Sequence, residues 1–149
     1  MILRCVVPDE STASDAVQLL KLVSDAAGRR DLGAITALYA PDGVWDLSPI
    51  GMGTFEGHAA IRGFMEDWFG SYEEWEREAE ELLDVGNGVA FAVWLQRGRP
   101  GGSSGEVRLR YAAVLLCEAG KIARVTNYTD IDEARGAAER LAQERAPDG

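Results

Sequence analysis

Apolar residues recur at helical spacing in three stretches of the first half of the chain. The first stretch predicts a helix over residues 15–28, with a glycine at its end. The second predicts a short helix over residues 32–39, and the third predicts a helix over residues 58–69. A glycine-rich loop over residues 49–57 is expected before the third helix.

Runs of strand-forming residues dominate the second half of the chain. A short strand is expected around Trp45, and four longer strands are expected after the third helix. The longer strands are predicted over residues 75–85, 89–97, 106–117 and 122–129. The pair Asn87-Gly88 predicts a tight hairpin turn, and residues 98–105 are expected to form an exposed hairpin tip. A closing helix is predicted over residues 132–144.

The order of these elements predicts an α+β fold. Helices followed by consecutive antiparallel strands typically pack on one face of a curved sheet. A chain of 149 residues is long enough for one domain with a sizeable core. We therefore expect a loose leader over residues 1–13, a single domain over residues 14–145 and a frayed tail over residues 146–149.

The charge of the chain argues against two classes of partner. A formal net charge of -10 disfavours nucleic acid and anionic membranes, which bind through clustered Lys and Arg. No apolar run approaches the roughly 20 residues that a membrane-spanning helix needs. The apolar start of the chain is too short for a secretory signal. We therefore expect a cytoplasmic protein without nucleic-acid or membrane partners.

Cysteine and histidine are too few to suggest a metal centre. Cys5 and Cys117 cannot form a disulfide scaffold or a four-ligand site, and Cys117 is expected to be a small buried side chain. His58 begins the third predicted helix, where a capping or surface role is favoured over catalysis. No metal ion and no cofactor are expected, because nothing near His58 adds ligands at metal-site spacing.

Four short phrases of the sequence resemble a known family. They are Gly28-Arg29-Arg30-Asp31-Leu32, Leu38-Tyr39-Ala40-Pro41-Asp42, Phe55-Glu56-Gly57-His58-Ala59-Ala60-Ile61 and, more weakly, Gly120-Lys121-Ile122-Ala123-Arg124-Val125. They resemble the SnoaL-like members of the nuclear-transport-factor-two-like superfamily, which includes ketosteroid isomerases, polyketide cyclases and limonene epoxide hydrolase. The resemblance spans residues 15–132. Because this superfamily contains enzymes, binders and scaffolds, the phrases identify the fold better than the reaction.

The resemblance implies a particular form of the α+β fold. It implies a cone-shaped, curved antiparallel sheet around a pocket. Three helices of the amino-terminal half would pack over the sheet, and a short helix would follow at the carboxyl end.

Apolar residues occupy both faces of the predicted strand over residues 89–97. One face carries Val89, Phe91, Val93 and Leu95, and the other carries Ala90, Ala92 and Trp94. A sheet that is apolar on both faces needs a cover besides its own helices. In the resembled family a second subunit usually buries the other sheet face, so we expect a homodimer through that face.

Asp46 is the first candidate for catalysis. The resemblance to ketosteroid isomerases implies that an aspartate near the end of this strand transfers a proton, and Val44-Trp45-Asp46 aligns with it without gaps. Such a base needs an apolar pocket that raises its pKa. Two strand registers remain open. In the first, Asp46 faces the pocket. In the second, Trp45 and Leu47 face the pocket and Asp46 faces away from it, and the hydrophobic pattern favours this second register.

The last predicted strand supplies Asn127 and Tyr128, which together with Gln96 are candidates for hydrogen bonds to a developing enolate. Limonene epoxide hydrolase has acid residues near this point, but Asn127 stands where an aspartate would be needed. The arginine and aspartate that this enzyme has on a middle strand correspond to Trp94 and Gln96 here, which disfavours epoxide hydrolysis. Asp130 is expected to cap the closing helix.

Large, mostly aromatic side chains are the predicted pocket wall. The substrate-binding candidates are Trp45, Met52, Phe64, Trp68, Trp94, Gln96 and Tyr111. Core packing is the commoner role of such residues, yet four tryptophans in a small domain favour a flat hydrophobic ligand. For Arg108 and Arg110, salt bridges to the acidic strand are favoured over a place in the pocket.

Three functions fit these residues. The first is an enzyme acting on a hydrophobic carbonyl compound, such as a cyclase or an isomerase, in which Asp46 removes a proton. The second is a ligand-binding module with the same pocket and no reaction, and the third is a dimerisation scaffold whose own side chains fill the pocket. A base that points into an open cavity would favour the enzyme, and an open apolar cavity without one would favour the binder.

Overall fold

Four α-helices lie in the part of the chain that a computed structural model describes, residues 15–102 and 104–146. They are α1 (Asp15–Gly28), α2 (Leu32–Leu38), α3 (His58–Gly70) and α4 (Ile131–Glu144). The four helices predicted from the sequence are confirmed, with ends that differ by at most about one residue. The predicted leader and the end of the predicted tail lie outside the described residues.

Six strands accompany these helices within the same ranges. They are β1 (Tyr39–Asp46), β2 (Thr54–Glu56), β3 (Tyr72–Gly86), β4 (Val89–Pro100), β5 (Val107–Glu118) and β6 (Lys121–Tyr128). The strand predicted around Trp45 and the four longer strands are confirmed as β1 and β3 to β6. The sequence misses β2, because its three residues lie within the glycine-rich stretch read as a loop. β4 continues through Pro100 and so extends into the predicted hairpin tip.

Aspartate side chains begin two of the helices. Asp31 precedes α2, and its Oδ1 accepts a hydrogen bond from the backbone N–H of Ala34 at 3.0 Å. Asp130 precedes α4 and accepts from the backbone N–H of Glu133 at 3.0 Å. These bonds satisfy N–H groups that have no partner within the helix. The capping role predicted for Asp130 is confirmed.

The six strands form one sheet in the order β2-β1-β6-β5-β4-β3. β3 to β6 follow one another as antiparallel neighbours, and β2 is antiparallel to β1. β1 and β6 are parallel, which differs from the antiparallel sheet expected from the sequence. Parallel neighbours require a long crossover, and here the segment from β2 to β5 provides it. The α+β class is confirmed, with a mixed sheet.

The helices α1, α2 and α3 pack on one face of the sheet, called here the inner face. Leu20 of α1 and Ile61 of α3 are buried in the same cluster as Trp94 and Leu115 of the strands. Burying each such side chain contributes roughly 1.5–3 kcal/mol. This cluster is the main core, and the helices hold it against the sheet.

The closing helix α4 covers part of the opposite, outer face of the sheet. Its residues Ala134, Ala138 and Ala142 are buried in one cluster with Phe91 and Val93 of β4. The short alanine side chains allow the helix to lie close to the strands. The second apolar face of β4 therefore has a cover within the chain. The homodimer stays a prediction, although the pattern that suggested it is explained in part by α4.

Replacing Ala138 with glutamate is expected to lower the free energy of unfolding by roughly 3 kcal/mol or more, because a charge would be buried without a partner. Ala138 is fully buried, whereas Gln143 on the same helix is exposed. Gln143→Glu is the matched control, which places the same carboxylate in solvent. Urea denaturation measures both variants, and equal effects would contradict the packing of α4 on the sheet.

Candidate functional site

A cavity lies between the inner face of the sheet and the helices α1, α2 and α3. It has a volume of about 100 Å³ and is partly open to solvent. Its walls are mostly apolar and come from all three helices and from five of the strands. Met52 lies at the rim, where 37% of its surface is exposed.

Most of the predicted site residues line this cavity. They are Trp45, Met52, Phe64, Trp68, Trp94, Gln96, Tyr111 and Asn127. Asp46 and Tyr128 are not part of the lining. Because successive side chains of a strand point to opposite faces, Trp45 and Asn127 face the cavity while their neighbours face outward. Tyr128 packs instead against the cluster beneath α4.

Strand register brings several of the lining residues together. Trp94 of β4 lies opposite Tyr111 of β5, and Gln96 of β4 lies opposite Arg77 of β3. Residues that are opposite each other, or two apart along a strand, share one face of the sheet. These four side chains therefore form one continuous patch on the inner face.

Aromatic rings form the wall on the helix side. Trp45 meets Phe64 edge-on with ring centres 5.3 Å apart, and Phe64 stacks on Trp68 with ring centres 6.0 Å apart. The indole Nε1 of Trp45 donates to Oδ1 of Asn127 at 3.2 Å. This hydrogen bond joins β1 to β6 and fixes the orientation of the Asn127 amide within the wall.

Arg77 of β3 adds a positive charge to this mostly apolar wall. Its guanidinium carbon lies 4.0 Å from the centre of the Trp94 ring, and its Nη1 donates to the Tyr111 hydroxyl at 3.0 Å. The Tyr111 hydroxyl lies 3.4 Å from Oε1 of Gln96, a long and weak hydrogen bond. Ring stacking and the bond to Tyr111 together hold the guanidinium in place.

Three nitrogens in this wall are buried and have no hydrogen-bond partner in residues 15–102 and 104–146. They are Nε and Nη2 of Arg77 and Nε1 of Trp75. Buried donors normally have partners, and an unpaired one costs roughly 1–3 kcal/mol, with more for a charged group. The cavity wall therefore contains a cluster of unpaired hydrogen-bond donors next to its aromatic side chains.

Sequence reasoning considered other arginines and missed Arg77. Neither Arg108 nor Arg110 lines the cavity, and Arg110 forms the expected salt bridge to the acidic strand, with Glu80 at 2.6 Å. The sequence signal that could have identified Arg77 as a lining residue is its spacing from Trp75. It stands two residues after Trp75 on the same strand and so shares a face with that apolar side chain.

Asp46 lies on the outer face within a network of hydrogen bonds. Its Oδ1 accepts from the backbone N–H of Ser48 at 2.9 Å, from the Ser48 hydroxyl at 2.6 Å and from the Thr54 hydroxyl at 3.0 Å. Its Oδ2 accepts from Nη2 of Arg124 at 2.6 Å. Burial alone raises the pKa of Asp46, but these bonds outweigh it and lower the pKa to about 2. A base for carbon acids needs a pKa nearer neutrality.

His58 and Cys117 lie outside the cavity lining. Nε2 of His58 is 2.9 Å from the backbone oxygen of Tyr39, which joins the start of α3 to β1. Cys117 is half-buried, and burial raises the pKa of its thiol. The described ranges contain no group of three or more His, Cys, Asp or Glu side chains placed to hold a metal ion. No helix within those ranges is long and apolar enough to cross a membrane.

Comparison with known families supports the resemblance seen in the sequence. A family model for the SnoaL-like domain matches residues 20–125. These residues include α2, α3 and most of the strands that enclose the cavity. No curated protein matches the chain with significance.

Solved structures share the fold at low sequence identity. One is an NTF2-like protein of unknown function from Burkholderia pseudomallei K96243, 23% identical, covering 85% of this chain and 98% of that chain with a TM-score of 0.69. TerC, co-crystallised with polyporic acid, is 17% identical, with coverage of 85% and 99% and a TM-score of 0.69. A protein with a ketosteroid isomerase-like fold from Catenulispora acidiphila DSM 44928, in complex with trimethylamine, is 18% identical, with coverage of 87% and 98% and a TM-score of 0.69.

Asp46→Asn is expected to lower the free energy of unfolding at neutral pH by roughly 2 kcal/mol, because the folded pKa of about 2 lies below the ordinary value of 3.8. A carboxylate whose pKa is lowered by folding stabilises the protein at pH values above its ordinary pKa of 3.8. This stabilisation is lost as the pH falls through the folded pKa of about 2. The difference in free energy of unfolding between wild type and variant should therefore shrink in acid. Urea denaturation at neutral pH and in acid measures it.

Asp67→Asn is the matched control for this experiment, because Asp67 is an exposed aspartate on α3. It should leave the free energy of unfolding nearly unchanged at either pH. A difference for Asp46→Asn that stays constant from neutral to acidic pH would contradict the role assigned to the ionised carboxylate.

Proposed function

Because the chain belongs to the SnoaL-like domain family, we propose that it binds a small hydrophobic molecule in its cavity and does not use Asp46 as a catalytic base. One observation carries this proposal. Among the described residues, the cavity lining includes aromatic and aliphatic side chains but no Asp, Glu, His or Lys. Such a site suits binding better than acid–base chemistry.

A cyclase or isomerase that abstracts a proton needs a base within hydrogen-bond reach of its substrate. Asp46, the predicted base, lies on the outer face, and its carboxylate already accepts four hydrogen bonds. The polar side chains that do line the cavity include Arg77, Gln96, Tyr111 and Asn127. These groups donate hydrogen bonds and orient a ligand, but they are poor proton acceptors at neutral pH. They favour the binding module over the enzyme.

The open cavity also favours a binder over a scaffold whose pocket is filled by its own side chains. An engineered apolar cavity of roughly 150 Å³ in another protein binds benzene. The cavity of about 100 Å³ is smaller but partly open, so it can take one aromatic ring and leave the rest of the ligand near the exposed Met52. The half-buried ring of Trp68 offers a flat surface for stacking.

The structural neighbours do not decide the class of ligand. TerC was co-crystallised with polyporic acid, and the protein from Catenulispora acidiphila was solved with trimethylamine. Ligands as different as an acid and an amine therefore occur with this fold. The preference of this chain must come from its own lining residues.

A thermal-shift screen with small aromatic compounds tests the proposed function. A compound that binds the native cavity must raise the melting temperature, by an amount that grows with the logarithm of its concentration relative to its Kd. Aromatic compounds of one or two rings are expected to raise it, and long polar compounds are not. No shift with any aromatic compound at millimolar concentration would contradict the proposal.

Val23→Phe is expected to weaken the binding of such a compound at least tenfold, a loss of roughly 1.4 kcal/mol, because the added ring occupies the cavity. Val23 is a half-buried lining residue of α1. Leu22→Phe is the matched control, since Leu22 is exposed on the same helix and does not line the cavity. Calorimetric titration measures both Kd values. An unchanged Kd for Val23→Phe would place the compound elsewhere on the protein.

A further inference from the structure

We propose that the ligand of this cavity carries a carboxylate, or a similarly planar monoanion, that binds the unpaired edge of Arg77 beside Trp75. This inference rests on the proposed function, since it names the chemical class of ligand for the same cavity. It follows from hydrogen-bond donors that the described residues leave without partners.

The unpaired nitrogens of Arg77 form one edge of its guanidinium group. Nε and Nη2 lie side by side, and their N–H bonds run in parallel, as two carboxylate oxygens require. The remaining nitrogen, Nη1, already donates to the Tyr111 hydroxyl at 3.0 Å. The free edge is therefore the one suited to a bidentate carboxylate contact.

No carboxylate of the described residues neutralises Arg77 within the cavity. Glu76 and Glu78, its neighbours on β3, point to the opposite face of the strand. Glu76 there forms a salt bridge with Arg97 at 2.6 Å. Arg77 is half-buried with two of its nitrogens sealed from solvent, and such a cation without a counter-ion carries a desolvation penalty that an anionic ligand group would offset.

Contacts already present hold the guanidinium group in position. Its carbon lies 4.0 Å from the centre of the Trp94 ring, while Tyr111 accepts from Nη1. The positive charge of Arg77 also acts on Tyr39, another lining residue. Burial raises the pKa of Tyr39, and the charge of Arg77 opposes that rise. A group fixed before the ligand arrives loses less side-chain entropy on binding.

Trp75 supplies a third donor near the same point. Its indole Nε1 is buried without a partner, and its ring centre lies 5.8 Å from the Arg77 guanidinium carbon. A carboxylate has enough lone pairs to accept from Trp75 as well as from Arg77. A phosphate monoester would bring a larger charge and a third oxygen into a wall that is mostly apolar. The site therefore favours a carboxylate on an aromatic ring.

The three donors are sealed from solvent in this structure, so the anion reaches them when a wall side chain moves. Trp75 is half-buried and packs edge-on against Phe69, with ring centres 5.0 Å apart. A change in the Trp75 rotamer would open a route to Arg77. Binding of a carboxylate should therefore alter the tryptophan fluorescence of the protein.

The experiment compares naphthoate with naphthamide, which has the same shape and no charge. Wild-type protein is expected to bind naphthoate at least about tenfold more tightly, because the amide leaves one donor of Arg77 unpaired. Calorimetric titration gives both Kd values, and tryptophan fluorescence reports the movement of the wall. Equal Kd values for the two compounds would overturn this inference while leaving the proposed function intact. Binding of neither compound would overturn this inference, whereas the proposed function fails only if no aromatic compound in the thermal-shift screen binds.

Arg77→Gln tests the residue itself. It should remove the preference for naphthoate and keep the Kd of naphthamide within about threefold, because the aromatic walls remain. Arg110→Gln is the matched control, since Arg110 is exposed on β5 and paired with Glu80. It should preserve the preference. A preference for naphthoate that survives in Arg77→Gln would overturn the assignment. Should that variant fail to fold, the wild-type comparison of the two compounds still decides.

Discussion

The alternation of side chains along each strand is the constraint on which the site depends. It places Trp45 in the cavity and Asp46 outside it on β1, and it directs Phe91 towards α4 and Trp94 inward on β4. A shift of one residue in strand register would exchange these sets of side chains. The cavity wall and the apolar surface on which α4 packs would then be lost together, so the packing on both faces of the sheet favours the same register.

Much of the fold could be predicted from the sequence because its elements have clear periodicity. The helices and long strands each carry an apolar pattern of the right period, and Asn87-Gly88 marks the turn between β3 and β4. The aromatic wall was also predictable, since large apolar side chains lie on the expected elements. The parallel pairing of β1 with β6 was not, because no local pattern specifies which distant strand becomes a neighbour.

The chemistry of the site was less accessible to prediction than its walls. Arg77 lies in a run of acidic residues that is typical of a solvated surface. Only its position two residues after Trp75 on the same strand indicates that its side chain faces the cavity. The orientation of Asp46 followed from the hydrophobic pattern, but its partners did not. Arg124 lies far away in sequence, and it is the sheet topology that brings its guanidinium to the Asp46 carboxylate.

The parallel contact between β1 and β6 has a consequence for the order in which the protein is made. Trp45 pairs in register with Val125, so this side of the cavity closes only after the chain has left the ribosome beyond residue 125. The hairpins from β3 to β5 join neighbouring segments and can form earlier, whereas β1 has only β2 as a strand partner until β6 is made. The pocket is thus completed by a strand made long after its β1 wall, and of the described elements only α4 can dock after it, on the outer face.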